Sequence, residues 1–176
     1  MAYSVSTNNL EEISMPVPAV IEAAAQNYRY NERFLVGAVK DLSDQEWHRR
    51  PNECTNHLAW IVGHLVWARK VLLARLGTEW STPWLGLYAR GEKLDDGLPC
   101  PSPTELMEAW NEVSGVLSGA LENASEEALS QLATNGPSSA DGKLSGIVNF
   151  LAIHETYHVG QAAYLRCWMG HKGPMG

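Results

Sequence analysis

The sequence lacks the makings of a disulfide framework. Its three cysteines, Cys54, Cys100 and Cys167, are odd in number, far apart and never in a CxxC pair. That argues against both stapled loops and a thiolate zinc site, and it fits a reducing compartment. Positive charge is scarce as well. The formal net charge is −7 and no run of Lys or Arg exceeds two residues, so the continuous basic surface that a phosphate backbone requires has no source, and no nucleic-acid partner is expected. No uninterrupted apolar run approaches membrane-spanning length, and the first residues, MAYSVSTNNLEEIS, lack the basic start and apolar core of a signal peptide. A cytoplasmic protein with no membrane partner is the expectation. Internal repeats and period-two strand patterns are missing too, which leaves helices as the building material.

What is present is globular. The 176 residues are 45% hydrophobic and 19% charged, a composition and length suited to one domain over residues 1–176, with 1–14 and 171–176 as peripheral tails. Apolar residues at Val17, Val20, Ile21, Ala24, Tyr28, Leu35, Ala38 and Val39 predict a first helix from about Pro16 to Asp41. Ser43 with Glu46 three residues on marks a short capped turn, closed by Pro51. Thr55 to Leu76 is apolar on most of its circumference, with only Arg69, Lys70 and Arg75 charged and Gly77 as its stop, so it predicts the most buried helix. Arg69 and Lys70 read as solvated cations on its flank. The long irregular stretch from Thr78 to Pro103 is a candidate lid. Ser102 and Glu105 open a third long helix that ends near Asn123, SEEALSQL offers a short one, and Leu144 to Met169 gives the last. Four long helices with a long second connection predict an all-α four-helix bundle. Trp60, Trp67, Trp84, Trp110 and Trp168 supply wall and core.

The chemistry sits in the histidines. His154 and His158 are four apart in a helical segment, so both imidazoles leave one face about one turn apart and can share a metal ion. A third ligand is needed. His64, midway along the most apolar helix, is the best candidate, because a buried imidazole demands partners for two nitrogens. His57 lies nearly two turns earlier, about 10 Å along the axis, and is expected to line the site or to pack at the helix start. His48 and His171 read as solvated. Gln161, three residues after His158, can orient a ligand at an open coordination position or hold a neighbouring side chain by a hydrogen bond. Tyr157 and Asn31 can reach the cleft, and Trp60 and Trp67 can wall it.

The stretch HETYHVGQ also spells HExxH, in which a zinc peptidase uses the glutamate as general base to a bound water. Here the xxGxxH continuation is missing, His171 is the only later histidine, and no strand is predicted to hold an extended substrate. Glu155 then reads as an exposed flank residue or as a group supporting the ligands, with a catalytic role as the peptidase alternative.

The segments YRYNERFL, LSDQEWHRRP, NHLAWIVGHLVWARK and IHETYHVGQAAYLRCWMG, with WLGLYARGE and PSPTELMEAW around the long connection, together resemble the DinB-like (YfiT-like) family of metal-dependent enzymes from about Val20 to Gly170. The resemblance implies a four-helix bundle, a homodimer and a divalent metal held by three histidines, here His64, His154 and His158. It further implies a small-molecule substrate and, among relatives, thiol-dependent transferases that use a low-molecular-weight thiol. Zinc or nickel is the expected ion. Many relatives carry an acidic residue shortly after the helix-two histidine, where this chain has VWARK, and a cation there would favour an anionic substrate. A non-catalytic metal-binding or interaction bundle is the alternative of a different class.

Overall fold

The structure is a computed structural model and describes residues 17–92, 100–133, 139 and 141–175. Four long helices carry it: α1 (Glu22–Val39), α3 (Leu58–Arg75), α4 (Pro103–Glu122) and α6 (Leu144–Trp168), with short α2 (Asp44–Trp47) and α5 (Glu126–Ser130) between them. Among the described residues no β-strand forms, only an isolated bridge between Leu132 and Lys143, and no helix is long and apolar enough to cross a membrane. The pairs α1–α6, α6–α3, α3–α4 and α4–α1 touch and close a ring around one apolar core.

Local signals decide where the helices begin and end. Ser43 and Ser102 each form the capping box with a glutamate three residues on, and Pro103 occupies the first turn of α4, where its missing N–H is not needed. At the far end of α3, Gly77 takes a positive φ of 79° and Thr78 N–H donates to Leu73 O at 2.9 Å, a left-handed stop that satisfies two orphan carbonyls. Gly170 ends α6 in the same way, with His171 N–H donating to Arg166 O. The start of α1 differs from expectation. Pro18 leads into a 3-10 turn over Ala19–Ile21, and the α-helix begins only at Glu22.

Direction follows from contacts along the helices. Asn149 reaches Val20 O, Asn31 reaches Thr156 and Arg166 reaches Lys40 O, so α1 and α6 run parallel. His64 meets His158, while Arg69, five residues further on, meets Glu155, so α3 runs antiparallel to α6.

The centre of the bundle is not wholly apolar. Arg69, expected on a solvated flank, is buried and gives Glu155 two hydrogen bonds, Nε to Oε2 at 2.7 Å and Nη2 to Oε1 at 2.8 Å. Its other donors go to Ser114 Oγ on α4 and Tyr28 O on α1, and its guanidinium lies 3.8 Å from the centre of the Trp110 ring. All four long helices therefore meet at one cation. The helix carrying Arg69 is apolar nearly all round, so its charged groups have little surface to reach, and a fork of fixed donors satisfied on every side is the form in which a charge survives burial.

Candidate metal centre

His64 sits midway along α3, buried between two indoles, with Trp60 stacked at 4.7 Å and 10° and Trp67 at 5.4 Å and 21°. Its Nδ1 lies 2.9 Å from Tyr88 O. A carbonyl only accepts, so Nδ1 carries the proton and Nε2 presents a lone pair. The carbonyl comes from a 3-10 turn, Leu85–Tyr88, in the long connection. That turn sits tight on α3 because residue 63 is glycine: a Cβ there would come within 2.5 Å of the Tyr88 ring. The described part of the expected lid is thus a fixed support for His64, and residues 93–99 lie outside the described residues.

His158, on α6, has the same arrangement. Its Nδ1 lies 2.7 Å from Gln161 Oε1, one helical turn on, which again leaves Nε2 unprotonated. Both lone pairs aim at the third histidine: His64 Nε2 is 3.4 Å and His158 Nε2 is 3.2 Å from His154 Nε2. The three nitrogens form one group, and among the described residues no other His, Cys, Asp or Glu joins it.

Neutrality is enforced electrostatically. Burial lowers His154 to about 4, with His158, His64 and then Arg90 adding to the effect. Burial likewise lowers His158 to about 4, against the opposing bond from Gln161. His64 is lowered by burial, opposed by the bond to Tyr88. At neutral pH these are three uncharged imidazoles, the form that ligates metals.

The residues present fit a divalent cation. Metal–nitrogen bonds of 2.0–2.1 Å at tetrahedral angles separate ligand nitrogens by about 3.3 Å, close to the 3.4 and 3.2 Å that separate His154 Nε2 from its two neighbours. With their protons on Nδ1, neutral His64 and His158 both turn an Nε2 lone pair toward His154 Nε2, an arrangement that a cation between the three rings would satisfy. The outer bonds to Tyr88 O and Gln161 Oε1 are the supports that fix tautomer and ring orientation in metal-binding histidines.

The chain matches the family model of the DinB superfamily over residues 28–162. It belongs to that superfamily. The matched span contains His64, His154, His158 and Gln161, and so the whole histidine group with its α6 support. No curated protein matches the chain.

The remaining candidates separate. Tyr157 packs its ring edge-on against His158 at 5.1 Å and is otherwise exposed. Beside it and Gln161 runs a groove of about 420 Å³, walled also by Ile61, Leu165 and the loop around Cys54, with no charged side chain in its lining. Trp60 flanks both His64 and His158. Glu155 must be corrected: it is neither an exposed flank residue nor a base facing the histidines, because both its oxygens are held by Arg69 in the core. The peptidase reading loses its general base with it, and of the two cations foreseen near the site mouth Arg69 is buried in the core while Lys70 stays half-buried beside Thr78 and Glu79. Asn31 is turned to Thr156, its amide donating to Oγ1 at 3.0 Å, and so joins α1 to α6 rather than lining the cleft. His57 is the buried N-cap of α3, with Nδ1 accepting from Trp60 N–H and its ring against His48. It positions the start of the ligand helix and stays outside the histidine group. His171, expected in solvent, binds Glu46 at 2.7 Å and ties the end of α6 to α2.

Two parts of the site escaped sequence reading. The acceptor for His64 is a backbone carbonyl, which no residue type announces. The close fit of Tyr88 on Gly63 had only a weak sign, a glycine inside an otherwise strong helix.

Proposed function

We propose that this DinB-superfamily protein is a divalent-metal-dependent enzyme acting on a small molecule, with His64, His154 and His158 holding zinc or nickel. The observation that carries the reading is the pair of fixed tautomers: the chain commits Tyr88 O and Gln161 Oε1 to holding protons on the far side of two imidazoles, so that their other nitrogens converge unprotonated on His154. Three neutral imidazoles leave a coordination position for a fourth group, the feature of a catalytic rather than a closed structural site. An ion bound there would lower the pKa of a coordinated thiol or water and so supply a nucleophile near neutral pH.

The chain's own residues do the rest. Trp60 and Trp67 fix the His64 ring and keep water from its faces, and Gln161 and Tyr157 hold His158 while forming one wall of the groove. That groove has the volume of a small-molecule site, and its uncharged lining suits a largely apolar ligand with a few hydrogen-bonding groups. S-transfer from a low-molecular-weight thiol to an electrophile is the leading reaction, with hydrolysis as its counterpart if water takes the open position.

The test is metal analysis of natively purified protein beside a His64→Ala/His154→Ala/His158→Ala variant checked for folding by circular dichroism, followed by thiol-transfer assays on the loaded protein. One divalent ion per chain in the wild type and none in the variant supports the reading. Wild-type protein that retains no added metal ends it. Metal without turnover across thiols and electrophiles favours a binding bundle instead.

A further inference from the structure

With Arg69 committed to Glu155 and Lys70 beside Thr78 and Glu79, a different cation stands at the histidine group. It is Arg90. Apart from the other two histidines, its charge is the one that acts on His154 among the described residues.

The chain fixes Arg90 from both sides. Two residues before it, the Tyr88 carbonyl is bound to His64 Nδ1 at 2.9 Å and the Tyr88 ring is seated on Gly63. On its other side Gly91 takes a φ of 92° and Glu92 N–H donates to Ala89 O at 3.1 Å, closing a tight turn with Arg90 at its corner. A left-handed residue next to that corner calls for glycine. The support for His64 and the placing of Arg90 are thus one continuous piece of chain. Arg90 is exposed, and among the described residues no hydrogen bond or ion pair engages its guanidinium.

The centre is short of negative charge. Its ligands are neutral imidazoles, no Asp or Glu among the described residues joins them, and the carboxylate next to His154 in sequence, Glu155, is neutralised by Arg69. Neutral ligands leave the charge of a divalent ion uncompensated, and Arg90 adds to it rather than offsetting it. The groove lies at the other end of the group. It follows α6 from Tyr157 to Leu165, past His158, whereas Arg90 acts on His154, one helical turn back. An uncharged groove, three converging nitrogens and a cation therefore follow one another along α6.

We infer that Arg90 is a specificity-determining residue that binds the carboxylate of an anionic small molecule, whose donor atom takes the open coordination position and whose apolar part lies in the groove. The inference rests on the metal reading above and names its substrate class. An arginine fork takes a carboxylate through two parallel hydrogen bonds. A single fork with no second basic side chain acting beside it suits a carboxylate better than a phosphate dianion. The chain as a whole, at net charge −7, repels such a ligand, so this local cation decides between charged and uncharged candidates.

The test loads the full chain with divalent cobalt and titrates it with mercaptoacetate, mercaptopropionate and mercaptobutyrate, each beside the mercapto-alcohol of the same carbon count. Cobalt content is measured first, and thiolate binding is then read from the sulfur-to-cobalt charge-transfer absorption. Arg90→Ala is expected to weaken binding of the best-fitting acid about tenfold, the worth of one hydrogen bond to a charged group, and to leave the alcohol unchanged. Arg90→Lys is expected to keep part of the preference for the acid, and Arg90→Glu to reverse it. Sodium chloride is expected to erode the wild-type preference, because the cation is exposed. Circular dichroism and cobalt content of the variants are expected to match the wild type. Wild-type protein that takes up no cobalt ends the metal reading and this inference with it. Loaded protein in which Arg90→Ala changes acid and alcohol alike, or changes neither, overturns the role of Arg90 and leaves the metal centre standing.

Discussion

Arg69 holds both oxygens of Glu155 in the core of the bundle, one residue along α6 from His154. The pair sets the relation between the two ligand helices, α3 and α6, and explains why HExxH letters occur here without a base facing the histidines.

Removing one partner leaves the other charged and buried. Glu155→Gln or Arg69→Met is expected to lower unfolding free energy by about 3–5 kcal/mol, read as a shift in urea midpoint with little change in slope. A double Arg69→Met/Glu155→Leu variant is expected to recover a large part of that loss. If the single variants unfold at the wild-type midpoint, the pair does not hold the helices.

Gln161→Leu takes the acceptor from His158 Nδ1. Loss of such an outer support typically costs 10–100-fold in metal affinity, so a chelator-competition titration is expected to show about that weakening. Gln161→Glu, which keeps an acceptor, is expected to stay close to wild type. Equal weakening by both would show that the bond does not set the tautomer.

Gly63→Ala pushes a methyl group into the Tyr88 ring. The turn must move off α3, carrying its carbonyl away from His64 Nδ1. A destabilisation of about 1–3 kcal/mol, the usual cost of overpacking, is expected together with weaker metal binding, whereas Gly115→Ala, where a Cβ in the interior of α4 meets open space, is expected to raise stability by up to about 1 kcal/mol and to leave metal binding unchanged.

The histidines predict an acid dependence of the metal-free protein. His154 and His158 sit at about 4 in the folded chain against an ordinary value of 6.5, and His64 is lowered in the same direction. Between those values the unfolded chain binds more protons, so stability rises with pH there. It is complete above about pH 6.5 and is lost progressively as pH falls toward 4. Urea midpoints measured from pH 7 to 4 are expected to fall more steeply for the wild type than for the triple alanine variant. Parallel curves would mean the imidazoles are not held neutral.

The helices were legible because their punctuation is chemical: Ser43 with Glu46, Ser102 with Glu105, and Gly77 each name a boundary that the structure keeps within a residue or two. Convergence of the histidines was legible from the four-residue step of His154 and His158 and from the placement of His64 in the most apolar helix. Arg69, and Glu155 as a flank residue, are misplaced by any reading that equates charge with solvent. The better sign was available: on helices apolar nearly all round, an Arg beyond one histidine and a Glu beyond another are opposite charges with no surface to reach. The His64 acceptor could not be read, since every residue owns a carbonyl and only the path of the chain decides which one arrives.

That path has its own consequence. Because the proton on His64 is held by main chain, the tautomer belongs to the spacing of the connection rather than to its composition. Exchanging the side chain of Tyr88 itself leaves a carbonyl in the residue's backbone all the same. Adding or removing a single residue between Gly77 and Tyr88 moves that carbonyl, and the imidazole must then find its proton a new home.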